Sequence, residues 1–235
     1  MKKINQFITE YIIKKKLDKP IDSEDHYKYS PETKDELIKV IYMLLDKGEN
    51  DLNCIDTSKI TDMSELFYNK EDINIDVSKW NVSNVKDMNR MFYNCEDFNC
   101  DLSNWDVSKV ENMERMFHYC EKFNCDLSNW NVSKVKYMQH MFHSCYEFKG
   151  KGLENWDVSN VEKIDHMFCE CRIFIGKGLD NWNISKKVTD MSNMFDGCRK
   201  FNCDLSKWNT KRVKDMRYMF YNCDSLKNKP NWYKA

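Results

Sequence analysis

The apolar positions of this chain repeat. Tryptophans stand at Trp80, Trp105, Trp130, Trp156, Trp182 and Trp208, in steps of 25, 25, 26, 26 and 26 residues. A second track runs beside them: Leu66-Phe67, Met91-Phe92, Met116-Phe117, Met141-Phe142, Met167-Phe168, Met194-Phe195 and Met219-Phe220. Together the tracks mark seven units from about Asp51 onward, the last shortened near Trp232. The extra residues fall in "FKGKGL" (148–153) and "FIGKGL" (174–179), each one longer than "FNCDL", and at Lys186-Lys187. Insertions confined to such places mark loops between rigid elements.

Inside one unit, Val110, Met113, Met116, Phe117 and Cys120 recur at i, i+3, i+6, i+7 and i+10. That spacing predicts one face of an α-helix of about three turns. Ser108 is placed to cap it and Glu111 to complete an S-x-x-E box, a pattern repeated by Ser159 and Glu162. Ahead of the helix, Trp105 and Val107 alternate with Asp106 and Ser108, and Phe98, Cys100 and Leu102 are spaced likewise, which predicts one or two short strands. A unit of this size cannot bury its apolar side alone, but stacked copies can. The expected fold is an α/β solenoid: a right-handed, leucine-rich-repeat-like stack of about seven strand–helix coils of 25–26 residues over 51–235. Residues 1–50 fall outside the period and predict a helical N-terminal cap. One helix is expected through Ile4, Phe7, Ile8, Tyr11 and Ile12, with Lys14-Lys15-Lys16 at its end, and a second over 31–47.

Composition narrows the function classes. Lys and Arg number 37 against 38 Asp and Glu, for a net charge of −1, so no basic field for nucleic acid is present. Asn5, Gln6, Thr9 and Glu10 interrupt the first apolar run, which therefore does not read as a secretory signal, and no stretch reaches a membrane span. A cytoplasmic protein is expected, with the cell surface as the alternative if an export signal has been removed.

Eleven cysteines invite a metal or disulfide reading. Cys95-x4-Cys100, Cys120-x4-Cys125 and Cys198-x4-Cys203 look paired, but Cys145 faces Gly150 or Lys151 and Cys171 faces Gly176 or Lys177. A zinc site needs converging ligands, whereas a ladder spreads its thiols along an axis. Cys95, Cys120, Cys145, Cys171, Cys198 and Cys223 are therefore expected to be small buried hydrophobes, neither metal-bound nor bridged. Cys120 with His118, or Cys145 with His143, lacks a third orienting group, and surface histidine is the simpler reading. No phosphate loop or dinucleotide fingerprint is present, so no enzyme, cofactor or metal site is expected. One polar ladder remains, formed by Asp106, Asn131, Asp157 and Asn183 with Asn81 and Asn209. Two readings apply to it: a recognition strip for a protein partner, or side chains that cap their own turns.

The units "FNCDLSNWDVSKVENMERMF" and "ITDMSELFYNKEDINIDVSKWNVSNVKDMNRMFYNC" share the pattern W-[DN]-V-S-x-V-x-x-M-x-x-M-F-x-x-C. They resemble the 26-residue repeat of BspA-like bacterial surface proteins, found also in mycoplasma lipoproteins. The likeness covers about 50–235, and the segment "SPETKDELIKVIYMLLDKGENDLNCIDTSKITDMSELF" is similar to the leader that precedes such repeats. The resemblance implies a leucine-rich-repeat-like solenoid that binds proteins, often host or matrix proteins at a cell surface, and it implies no catalytic residues. The functional expectation is a non-catalytic scaffold that binds a protein through its face and loops, with Asp106, Asn131, Asp157 and Asn183 as its contact residues. A surface adhesin-type module is the alternative. Neither nucleic acid nor membrane insertion is expected.

Overall fold

The repeat is built from turns that stack on the turns of the next copy. The computed structural model describes residues 27–234. Between Leu102 and Phe123, buried residues stand at both ends of successive turns. The Trp105 amide donates to the Leu102 carbonyl, Val110 to Val107, Met116 to Met113, Cys120 to Phe117 and Phe123 to Cys120. Each of these bonds closes a β-turn. Both of its ends face inward, so apolar residues recur every third position.

The expected α/β solenoid of strand–helix coils is not what the chain forms. Among the described residues the one α-helix is α1, Lys34–Leu45, with two single 3-10 turns at Leu153–Asn155 and Leu179–Asn181. Among these residues no strand is present, and pairing is confined to isolated parallel bridges such as Asp62 with Asp87, Asp87 with Asn112, Asn112 with Tyr137 and Tyr137 with Lys163. The segment expected to be helical shows why. An α-helix would keep its amides for its own carbonyls. Here alternate amides leave the coil: Arg115 donates to Gln139, Phe117 to Met141 and Tyr119 to His143, at 2.9–3.0 Å. That alternation places Arg115 at φ 53° and Tyr119 at φ 60°, in the left-handed region, and equivalent residues of other coils follow, including Arg90, Asn94, His140, Ser144, His166 and Glu170. The capping box is also absent. Ser108 donates its amide to Asp106, while the carboxylates of Glu111 and Glu162 pair with Lys136 and Lys187 in the next coil, at 2.6 and 2.8 Å. A helix and a run of inward-ended turns share a three-residue rhythm, which is why apolar spacing did not separate them.

Register between coils brings identical side chains into columns. Phe67, Phe92, Phe117, Phe142, Phe168, Phe195 and Phe220 stack with centroids 5.4–5.8 Å apart. The tryptophans expected to face inward are buried, each 4 % exposed or less from Trp80 to Trp208. Each indole N–H has a fixed acceptor in the preceding coil: Trp105 donates to Val77, Trp130 to Leu102 and Trp182 to Leu153, at 2.8–3.1 Å. Trp232 in the shortened last unit does the same to Leu205 at 2.9 Å and stacks on Trp208.

Of the N-terminal segment, the helix expected through Ile4–Ile12 and the lysines after it lie outside the described residues. The second helix is α1. Thr33 caps it, its hydroxyl accepting the Glu36 amide at 3.2 Å. Its buried face, Leu37, Val40, Ile41 and Leu44, joins the same core as Leu52, Ile55 and Ile60 of the first coil. Lys34 reaches Asp62 at 3.1 Å, and Tyr29 bridges to Ile55 in parallel.

The left-handed positions give a direct check. Arg90 at φ 51° should tolerate Gly with a stability change near zero, because relief of about 1–2 kcal/mol of left-handed strain offsets the extra chain entropy. In an α-helix the same substitution would cost about 1 kcal/mol. Arg90→Val should destabilise by about 1 kcal/mol or more. Urea denaturation of the two variants would reject the turn geometry if Gly proved the worse residue.

Candidate functional site

The polar ladder stands where the pattern placed it, exposed between buried tryptophan and valine. Its side chains are engaged locally. The Oδ1 atoms of Asp106, Asn131 and Asp157 accept the amides of Ser108, Ser133 and Ser159 at 3.0–3.1 Å. The Ser108 hydroxyl and amide hold the Asp106 carboxyl below the usual carboxylate range. The same i to i+2 bond recurs at Asp76, Asp101, Asp126, Asp190 and Asp204, so a carboxylate or amide followed by serine is the turn signature of this repeat. Asn183 is exposed, but in its coil the extra lysine moves the turn on by one residue, and the Ser185 hydroxyl accepts the Lys187 amide instead. Asp106, Asn131 and Asp157 thus have a structural duty that leaves their outer edges open to solvent.

The cysteines form a ladder of donors. Sγ of Cys95, Cys120, Cys145, Cys171, Cys198 and Cys223 donates to the carbonyl of Phe67, Phe92, Phe117, Phe142, Phe168 and Phe195, at 2.9–3.0 Å. All eleven thiols are free. Burial pushes the Cys95 thiol up to about 12 and carries those of Cys120, Cys145, Cys171 and Cys198 well above the ordinary range. The reactive form of cysteine is the thiolate, so these protonated thiols are poor nucleophiles. The second thiols, Cys100 and Cys125, accept the amides of Val77 and Leu102. Where the "GKG" insertion replaces that thiol, the Lys151 carbonyl takes the Leu127 amide at 3.0 Å.

The surface-histidine reading of His118 and His143 requires correction. His118 is only 7 % exposed, and its ring lies 4.4 Å from that of His143 and 5.5 Å from that of His140. His140 stacks in turn on His166 at 4.4 Å. Four of the chain's five histidines therefore meet in three consecutive coils. Two outward columns produce this: His118 and His143 follow the stacked Phe117 and Phe142, while His140 and His166 stand two residues before Phe142 and Phe168. Asp165 closes the group, its Oδ2 lying 3.2 Å from Nδ1 of His166 and 3.8 Å from Nε2 of His140. The readable signal was that each histidine pair is separated by one repeat length, 25 or 26 residues. Burial, with the neighbouring rings and Arg115 adding to it, holds the His118 imidazole down to about 2, His140 to about 3 and His143 to about 4.

On the same side, the outward columns carry aromatic and basic side chains. Tyr68 stacks on Tyr93 at 4.8 Å, and Tyr93 meets His118 and Tyr119 edge-on. Arg90 pairs with Glu65, and Arg115 with Glu114. Tyr68, Tyr119, Tyr218 and Tyr221 are exposed by 41, 37, 60 and 57 %.

One protein family matches the chain, described as "Mycoplasma protein of unknown function, DUF285", over residues 38–152 and 138–234. No curated protein and no solved structure matches it significantly. No helix among the described residues is long and apolar enough to cross a membrane.

The depressed imidazoles fix a pH response. An unfolded histidine takes up its proton near pH 6.5, whereas these folded ones, facing Arg115, Asp165 and one another, do so far lower. Protons then favour the unfolded chain, so stability is full above about pH 6.5 and falls as pH drops from there toward about 4. Thermal melts in a chelating buffer should show this decline, and His118→Phe should flatten it. An equal slope in both proteins would contradict the neutral, buried state of His118.

Proposed function

The chain belongs to the DUF285 family of mycoplasma proteins, and we propose that it is a non-catalytic module that binds another protein across several coils. The observation that carries this reading is the contrast between its two sides. Inward positions repeat from coil to coil as Trp, Val, Met and Phe, while the outward positions beside Phe change freely: Tyr68, Tyr93, His118, His143, Cys169, Asp196 and Tyr221. A stack of this kind offers an extended face whose composition can change without disturbing the core. The exposed Tyr–Arg portion has residue types that dominate protein interfaces: Tyr buries a large rigid ring at low entropic cost, and Arg presents a planar fork of hydrogen-bond donors. The ladder of Asp106, Asn131, Asp157 and Asn183 forms the second candidate strip, with the polar edges left over from its turn bonds.

The BspA-like likeness of the repeat favours a more specific form of the same reading, attachment to host or matrix proteins from a cell surface. Balanced charge and surface pairs between coils, such as Asp97 with Lys122 and Asp126 with Lys151, leave no single-sign field. Affinity should accordingly vary little with salt.

The test compares variants rather than searching for a partner alone. Immobilised chain would capture extracellular-matrix and host-cell proteins, and Tyr68→Ser with Tyr119→Ser should lower capture about tenfold or more. Asp106→Lys, Asn131→Lys and Asp157→Lys together would report the ladder, with folding checked by near-ultraviolet circular dichroism. Loss only in the lysine variant would move the contact to the ladder, and equal capture by all three proteins would reject a binding face on either strip.

A further inference from the structure

We propose that His118, His140 and His143 form a binding site for one divalent transition-metal ion of the zinc class. This goes beyond the protein-binding reading and does not depend on it. The first observation is convergence. One ligand nitrogen from each of the three rings lies within 4.8 Å of the others. The Nδ1 atoms of His140 and His143 are 3.3 Å apart. A tetrahedral ion with nitrogens at about 2.0–2.1 Å holds them about 3.3–3.4 Å from one another. Two of the three donors already stand at that separation.

The second observation is independent of spacing. His118 is 7 % exposed, and neither of its ring nitrogens has a hydrogen-bond partner. A buried polar group without a partner is rare because its desolvation goes uncompensated. Tyr119 and His143 stack on the ring and Tyr93 meets it edge-on, contacts that supply packing and no hydrogen bond to its nitrogens. A metal bond would satisfy one of these nitrogens.

The third concerns orientation. His140 turns Nδ1 toward His143, and its other nitrogen, Nε2, lies 3.8 Å from Asp165 Oδ2. Metal-bound histidines almost always direct their second nitrogen to a carboxylate or carbonyl, which sets tautomer and ring angle. Asp165 lies just beyond hydrogen-bond distance of that nitrogen, so a small closure would give it that role, and it is itself held beside His166 at 3.2 Å. Three imidazoles suit Zn2+, Ni2+ or Cu2+, whereas Mg2+ and Ca2+ prefer oxygen donors. Three protein ligands also leave a position for water or a partner's side chain.

The experiment uses the untagged full-length chain, freed of metal and titrated with Zn2+ and with Co2+. One equivalent should bind, the cobalt form showing tetrahedral visible absorption without a thiolate charge-transfer band. His140→Gln and His143→Gln replace part-exposed side chains, and each should weaken Zn2+ binding by about 100-fold, with Asp165→Asn costing about tenfold. A Cys100→Ser, Cys125→Ser, Cys203→Ser variant should bind as the parent does, and millimolar Mg2+ should not compete. Melts of metal-free variants establish that each is folded. Absence of saturable binding, or affinity unchanged in both glutamine variants, would overturn the site. Sensitivity to His166→Gln without sensitivity to His143→Gln would place the ion on His140, Asp165 and His166 and overturn this ligand set.

Discussion

The direction taken by backbone amides in the segment between each unit's second valine and its cysteine governs the architecture. A buried N–H must find an acceptor, and two solutions exist: the carbonyl four residues back in a helix, or a carbonyl in a neighbouring segment. This chain takes the second at alternate residues, as Phe92 does to Met116 and Phe117 to Met141 at 3.0 Å. The accompanying left-handed residues cost about 1–2 kcal/mol each, and a hydrogen bond returns about 0.5–1.5 kcal/mol. Those terms nearly cancel. What then favours the arrangement is packing, because inter-coil bonding brings each coil against the next closely enough for like rings to stack.

Register follows from that spacing. Phe117 contacts Phe92, Phe123, Phe142 and Trp130 at once. Indole N–H and cysteine S–H groups, which would be costly to bury unpaired, find carbonyls at fixed positions that already close a turn and accept the second donor on their other lone pair. Exposed ion pairs between coils, such as Glu65 with Arg90, contribute at most about 1 kcal/mol each, so they accompany the register rather than set it. Longer coils keep the register through local repairs. Gly152, at φ 97°, brings its backbone so close to Leu127 and Ser128 that a Cβ would collide with them.

Columns also explain how polar groups distant in sequence come together. Any two outward residues one repeat apart become neighbours whatever their chemistry. At most places this juxtaposes unlike charges or tyrosines, and over three coils it gathers His118, His140, His143, Asp165 and His166. The same rule supplies a variable face on a constant core.

Much was legible in the residues themselves. The tryptophan and Met-Phe tracks determined the unit, its length, its inward residues and the places where insertions are tolerated. Leu37, Val40, Ile41 and Leu44 determined a helix ahead of the first unit. These features depend on which side chains avoid water, and composition and spacing report that directly. Tertiary structure decided the rest. Val110, Met113, Met116, Phe117 and Cys120 satisfy a helix and a series of turns equally well, and only the acceptors offered by Gln139, Met141 and His143 select the turns. Likewise Asp106 and Asn131 fit both a recognition strip and turn-capping side chains in the sequence, and the folded turns add the bonds from the Ser108 and Ser133 amides. The histidine cluster depends on stacking: His140 and His143 share a coil, but His118, Asp165 and His166 join them only from the neighbouring coils.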